Sequence, residues 1–208
     1  MTLVIGLTGS IATGKSTISN MLVKMNYPVV DADQIAREVV EPGKTAYEQI
    51  VEYFGESILN EDRTINRKKL GSIVFNNKDE REKLNSLIHP EIRKEMLRQR
   101  DYYIEQNYPA VILDIPLLFE SNLFHYVDKV LVVYVEPHIQ LERLMKRDGS
   151  TKEDALSRIN SQISIEEKKE KADAVIDNSG TVEESEMQLQ EILRKWNVFR
   201  SKTSGRLS

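Results

Sequence analysis

An α/β protein built on one parallel sheet of five strands is the fold class that the sequence predicts, and three observations carry it. Short β-branched runs alternate along the chain with segments whose apolar residues recur at helical spacing. The runs are nearly continuous in apolar residues, as expected of parallel strands covered on both faces. The first run, LVIGLT (3–8), feeds a glycine-rich turn and then a helical pattern, SNMLVKM (19–25), the opening of a β-α-β unit.

The remaining strands read in order as YPVVDAD (27–33), AVILDIP (110–116), KVLVVYV (129–135) and ADAVIDN (172–178). Between the second and third lie four helical patterns, AYEQIVEYFG (46–55), RKKLGSIVF (67–75), REKLNSLI (81–88) and PEIRKEMLRQRDYYIEQ (90–106). That stretch is an insertion between two sheet strands rather than a separate domain. A second excursion (141–164) joins the fourth strand to the fifth, and a last helix runs from about Val182 to Trp196. The closing RSKTSGRLS (200–208) is polar and serine-rich, and is expected to be loose.

Composition removes several function classes. The 208 residues are 40% hydrophobic and 30% charged, the balance of an ordinary globular chain with one full core. A net charge of −4 supplies no global field for nucleic acid or a membrane surface, so any anion has to be captured by a local cluster. The absence of cysteine removes disulfides, thiolate metal sites and thiol nucleophiles. Three histidines, His89, His125 and His138, are too scattered for a zinc site. The N-terminus lacks the pattern of a signal peptide and no apolar run is long enough to span a bilayer, so a cytoplasmic protein is expected.

The chemistry begins at GSIATGKS (9–16), which fits G-x-x-x-x-G-K-[ST]. Gly9 and Gly14 permit backbone angles that let successive N–H groups converge on phosphate oxygens. The helix that starts at Lys15–Ser16 aims its unpaired N–H groups and positive dipole end at the same anion. Lys15 adds a point charge, Ser16 a hydroxyl for Mg²⁺, and Thr17 a further contact to an α-phosphate. The bland alternative is a glycine-rich turn with a solvated lysine; the strand–loop–helix context favours the cradle.

Two sets of carboxylates end strands at the edge where an open α/β sheet binds ligands. In VVDAD, strand alternation would place Asp31 and Asp33 on one side. Asp33 either orients a substrate hydroxyl near the γ-phosphate, caps the following helix, or does both. Asp114, at the end of VILD, has the look of an acid that holds Mg²⁺ directly or through water; the alternatives are a strand-end cap or a partner for Lys15. Arg143 and Arg147 share a helix face in the second excursion, where a lid over transferring phosphates competes with a solvated helix. Arg158 is the weaker candidate there, and Gly149 a plausible hinge. His89 before Pro90 reads as a helix start, and Arg93, Lys94, Arg98 and Arg100 suit an acidic substrate and a plain surface about equally.

Taken together, GLTGSIATGKST, VVDADQIAREVVEPG, HPEIR, VILDIPLLFE, MKRDG with SRINSQ, and VIDNSG resemble the dephospho-coenzyme A kinase family, in the family's order and from about Leu3 to Trp196. The resemblance implies a phosphate-loop kinase core (about 1–33, 108–140 and 172–199), a helical CoA-binding insertion (about 34–107) and a helical lid (about 141–171). It implies transfer of the ATP γ-phosphoryl group to the ribose 3′-hydroxyl of dephospho-CoA, with Mg²⁺, in a monomer or weak homo-oligomer. Carried over by position, Ala12, Thr13, Gly14, Lys15, Ser16 and Thr17 match the ATP loop. Asp33 matches the proposed base, Arg147 the lid arginine, and Asn178 the place where related kinases hold adenine. Ala12–Thr13 departs from the small Gly or Ser usual there. The nearest alternative is another phosphate-loop kinase of nucleosides, nucleotides or small metabolites. A GTP-dependent switch fits worse, because NNKDE (76–80) misplaces the Asp of N-K-x-D and DNSG (177–180) follows it in the wrong order.

Overall fold

Residues 1–75 and 77–199 are described by the computed structural model. In chain order the elements are β1 (Leu3–Gly9), α1 (Lys15–Lys24), β2 (Val29–Asp31), α2 (Ala32–Glu38), α3 (Thr45–Phe54), α4 (Arg67–Phe75) and α5 (Lys78–Glu105). Then follow β3 (Ala110–Asp114), β4 (Lys129–Tyr134), α6 (Pro137–Asp148), α7 (Lys152–Asn160), α8 (Ile165–Glu170), β5 (Ala174–Asp177) and α9 (Val182–Lys195). The described chain divides into two compact units, one of residues 1–30 and 100–199 and one of residues 31–99. Residues 200–208, expected to be a loose tail, lie outside the described residues.

The first unit is organised by a five-stranded sheet in the order β2-β3-β1-β4-β5. β1 pairs in parallel with β3 and β4, and β4 with β5. Every residue of β3 is buried, as is β4 from Val130 to Tyr134, which is why these runs read as unbroken apolar sequence. One sheet face buries Ile5, Leu7, Ile112, Leu131 and Val133 against Ile18 and Leu22 of α1 and Leu189 and Leu193 of α9. On the other face Gly6 is a glycine for lack of room: a Cβ there would meet Leu118 Cδ1 at 2.6 Å and Val127 at 3.1 Å. Asp128 and Asp173 fasten the strand starts, accepting from the N–H groups of Val4 and Val130 at 2.8 Å. The parallel pairing puts the ends of β1, β3, β4 and β5 on one edge, with Leu7 opposite Asp114, Gly9 opposite Val133 and Tyr134 opposite Asp177.

The excursion after β4 is three helices, each with a local start signal. Pro137 opens α6, Thr151 caps α7 by accepting from Asp154 N–H at 3.2 Å, and Ser164 caps α8 by accepting from Glu167 N–H at 3.2 Å. Gly149 closes α6 in the left-handed region at φ 62°, its N–H on Met145 O at 2.9 Å.

The second unit packs Ile50, Ile58 and Leu70 with Phe54, Ile65, Leu84, Leu87 and Ile88. Here the sequence misleads about helix ends. α5 is one helix of 28 residues with Pro90 inside it, not two helices meeting at Pro90. An interior proline removes one backbone bond and typically costs about 3 kcal/mol. The helix persists because Leu84, Leu87 and Ile88, just before the proline, are held in the apolar cluster. No helix among the described residues is long and apolar enough to cross a membrane.

Candidate active site

The turn after β1 ties back several of its carbonyls and leaves a set of its N–H groups open. Ser10 O accepts from both the N–H (3.2 Å) and the hydroxyl (2.9 Å) of Thr13. Ile11 O accepts from Gln140 Nε2 at 2.8 Å, and Ile11 N–H is given to Gln162 Oε1 at 3.0 Å. Thr13 O accepts from Asn178 Nδ2 at 2.8 Å, and Gly14 O from Thr17 N–H at 2.9 Å. Because C=O and N–H of one peptide point in opposite directions, tying the carbonyls of Ile11, Thr13 and Gly14 aims the N–H groups of Ala12, Gly14 and Lys15 the other way. Those groups, with Ser16 N–H, have no acceptor among the described residues, and no acidic residue stands in the first turn of α1. An anion is the partner that this arrangement lacks.

The geometry needs two left-handed residues in the turn, Ala12 at φ 63° and Gly14 at φ 84°. At Gly14 the requirement is double, since a Cβ would also collide with Asn178 Nδ2. Ala12 tolerates the same region at a cost of roughly 1–2 kcal/mol that glycine, with no Cβ, would avoid. Thr13 differs from expectation. Its side chain is buried inside the turn and its N–H is turned to Ser10 O, so it braces the loop from within.

Lys15 forms an ion pair with Asp114; the lysine side chain keeps 21% of its surface exposed and the aspartate 3%. Of the alternatives open for Asp114 in the sequence, the lysine partner is the one the structure displays. Ser16 is exposed beside them. No cluster of three or more metal-binding side chains occurs among the described residues. A hydroxyl and one carboxylate are a hard-oxygen set too small to hold an ion alone. They fit Mg²⁺ carried by a nucleotide, which brings its own phosphate oxygens and water.

Asn178 lies against the loop rather than open to a base. Its Nδ2 holds Thr13 O, its Oδ1 accepts from Ser185 Oγ at 2.8 Å, its N–H is on Tyr134 O at 2.8 Å, and its carbonyl accepts from Arg143 Nη2 at 3.0 Å. Arg143 thus reaches the loop through Asn178. Arg147 points elsewhere: Asp148 grips it through Nε at 2.8 Å and Nη2 at 3.1 Å, and also pairs with Arg158 Nη1. The hydrogen bond from Arg147, ahead of the one from Arg158, holds the Asp148 carboxyl below the usual carboxylate range.

In the second unit the two aspartates of DAD separate. β2 ends at Asp31, so strand alternation does not extend to Asp33 and the expected same-side pair does not form. Asp31, not Asp33, caps α2, its Oδ1 accepting from Asp33 N–H at 2.8 Å and Gln34 N–H at 3.0 Å. Asp33 occupies the first helical turn, exposed and relieved of capping. Within the same unit, Lys44, Lys94 and Arg98 with Glu38, Glu91 and Glu95 line a groove of about 420 Å³. Arg98 donates to Glu95 twice at 2.7 Å. That hydrogen bonding is the main reason the Glu95 carboxyl is lowered to about 2. Arg100 pairs with Asp101 in the first unit. It lines a cavity of about 570 Å³ with Tyr108, His125 and Tyr126 at the opposite edge of the sheet, where no phosphate loop stands.

Gln140 and Gln162 give little local sign of their role because both act on Ile11, 129 and 151 positions away, and Ser185 acts only through its neighbour Asn178, seven positions back. A faint signal was present: Gln140 and Leu144 are buried four apart on one face of α6, and a polar residue in an apolar helix stripe asks for a partner.

A model of the dephospho-CoA kinase family matches residues 3–184. The dephospho-CoA kinase of Oceanobacillus iheyensis is 59% identical over 198 residues, covering 95% of this chain and 100% of that protein. That of Bacillus cereus is 57% identical over 199 residues, 96% of this chain and again 100% of the relative. The solved dephospho-CoA kinase of Campylobacter jejuni superposes with a TM-score of 0.73 at 34% identity, covering 94% of this chain and 97% of that one. With a family match across most of its length, and relatives of more than half identity end to end, the chain belongs to the dephospho-CoA kinase family.

Proposed function

We propose that this protein transfers the γ-phosphoryl group of ATP to the ribose 3′-hydroxyl of dephospho-CoA, yielding coenzyme A and ADP. The observation that carries the reading is the turn of residues 9–17. The carbonyls of Ile11, Thr13 and Gly14 are tied back and the N–H groups of Ala12, Gly14 and Lys15 are left open, in a chain of this family.

Phosphoryl transfer asks little covalent chemistry of a protein; positioning and charge stabilisation do most of the work. The N–H groups of Ala12, Gly14, Lys15 and Ser16 hold the phosphates, and the Lys15 ammonium neutralises charge on the β- and γ-groups. Thr17 and Thr13 complete and brace the loop. Ser16 and Asp114 are the residues that would hold Mg²⁺, which supplies further neutralisation of the phosphate oxygens when bound. Asp33, freed from capping by Asp31, orients the acceptor hydroxyl and takes its proton. Arg147 exchanges Asp148 for the transferring group, and Arg143 acts through Asn178 on the loop. The helices of residues 34–107 form the acceptor insertion, where the cations of the Lys44–Lys94–Arg98 groove suit the acceptor's diphosphate; residues 141–171 form the lid. ATP as donor and a chain without cysteine accord with work in the cytoplasm.

Steady-state turnover with ATP and Mg²⁺ across a panel of acceptors tests the proposal. The kcat/KM for dephospho-CoA should exceed that for nucleosides, nucleoside monophosphates and small alcohols by orders of magnitude. A preference for any of those acceptors would replace the substrate assignment while leaving the nucleotide site intact.

A further inference from the structure

Among the described residues Lys168 is the largest fully buried one, with none of its surface exposed, and the chemistry above makes no use of it. Its ammonium lies 2.8 Å from Glu120 Oε1 and 3.3 Å from the carbonyl oxygen of Gly9, and 6.0 Å from the centre of the Phe119 ring. Glu120 Oε1 accepts in addition from Ile163 N–H at 3.1 Å, and Ser10 Oγ reaches Ile163 O at 3.5 Å. The start of the phosphate loop, the end of the segment after β3 and the α7–α8 junction therefore meet on one buried cation.

Stability alone is a poor reason for this pair. Taking two charges out of water is costly, and a buried ion pair is often no better than apolar residues of the same volume. Here Glu120 Oε2 is buried with no donor among the described residues, so the pair is not even fully satisfied. What it does supply is direction. Gly9 is the residue at which β1 ends, and its peptide sets how the turn begins. A carbonyl free to rotate into the turn would present negative charge where phosphate binds. Held on Lys168, it stays turned away, just as Gln140 and Asn178 hold the carbonyls of Ile11 and Thr13.

We propose that Lys168 is a positioning residue for the nucleotide: it pins the Gly9 carbonyl away from the phosphate cradle, and Glu120 neutralises the buried charge this requires. The inference rests on the loop binding nucleotide phosphates, as proposed above. Because α8 carries Lys168 and the α7–α8 junction carries Gln162 and Ile163, the geometry of the loop depends on the docking of this excursion.

The test separates stability from affinity in full-length protein by measuring Tm and the Kd for ADP by calorimetry. Glu120→Gln keeps an acceptor for Lys168 but removes the compensating charge; Tm falls and the Kd stays within about twofold of wild type. The double variant Glu120→Gln/Lys168→Met removes both charges, so Tm recovers. The Gly9 carbonyl is now unpinned and the Kd for ADP rises about tenfold, the loss of one charge-assisted hydrogen bond. In turnover, the KM for ATP rises by the same factor while that for dephospho-CoA is unchanged. A merely structural pair would make affinity follow Tm, and an ADP affinity in the double variant equal to wild type overturns the proposal. Failure of the wild-type protein to bind ADP would instead refute the phosphate-loop reading itself.

Discussion

Asn178→Ala distinguishes a brace from a base reader, because the structure and the family resemblance assign the side chain different work. The amide nitrogen satisfies the carbonyl of Thr13, and Oδ1 accepts from Ser185 Oγ, which has a second acceptor in Thr181 O at 3.2 Å. Truncation therefore orphans one backbone carbonyl, at about 1–3 kcal/mol. A loss near 2 kcal/mol lowers Tm by roughly 4–8 °C in a chain of this size. The backbone bonds of residue 178 to Tyr134 and Arg143 survive the change. Untying Thr13 O also frees the peptide that aims Gly14 N–H, so one contact to phosphate weakens and affinity drops about tenfold. Calorimetry with ADP and with inorganic pyrophosphate, each with Mg²⁺, reads the difference. A brace predicts the same factor for both ligands, since both present phosphates to the same N–H groups. Weaker binding of ADP with unchanged pyrophosphate would refute the reasoning and return Asn178 to the adenine.

Lys15→Met should lower kcat by at least ~10², measured as ADP release, in protein whose circular dichroism is that of wild type. Asp31→Ala removes the α2 cap and should lower stability by about 1 kcal/mol in urea titration. Asp33→Asn should leave stability within about 0.5 kcal/mol but lower kcat far more than it alters the Kd for ADP; near-normal kcat would exclude Asp33 from the chemistry. The Glu95 carboxyl, lowered to about 2 from an ordinary 4.5 chiefly by Arg98, contributes stability that is complete above pH 4.5. That contribution disappears as pH falls toward about 2, so Glu95→Gln should flatten this part of the acid-unfolding curve.

The sheet could be read from the sequence because its signal is local: β3 and β4 are buried on both faces, and each wears that burial as an unbroken apolar run. The phosphate turn was legible for a related reason, since Gly14 must take φ 84° at a point where a Cβ would strike Asn178. The end of β2 was not legible. VVDAD reads equally as a longer strand or as a cap plus a first helical turn, and the hydrogen bonds from Asp33 and Gln34 N–H to Asp31 decide it. Pro90 misled because proline is usually a boundary, whereas here apolar packing before it carries the helix through. The braces of the loop were invisible for want of any local pattern. Gln140, Gln162, Lys168 and Asn178 reach residues 129 to 165 positions away, and only the folded chain brings them together.

The most direct measurement of the central claim follows the phosphoryl group itself. ATP labelled in its γ-phosphate is mixed with Mg²⁺, dephospho-CoA and the protein, and the label is traced by chromatography and nuclear magnetic resonance. The label is expected to move to the 3′-position of the acceptor ribose, one for each ADP formed, and Lys15→Met to slow that transfer by at least ~10². Label that stays in ATP, or that leaves only as inorganic phosphate while dephospho-CoA is recovered unchanged, would contradict it.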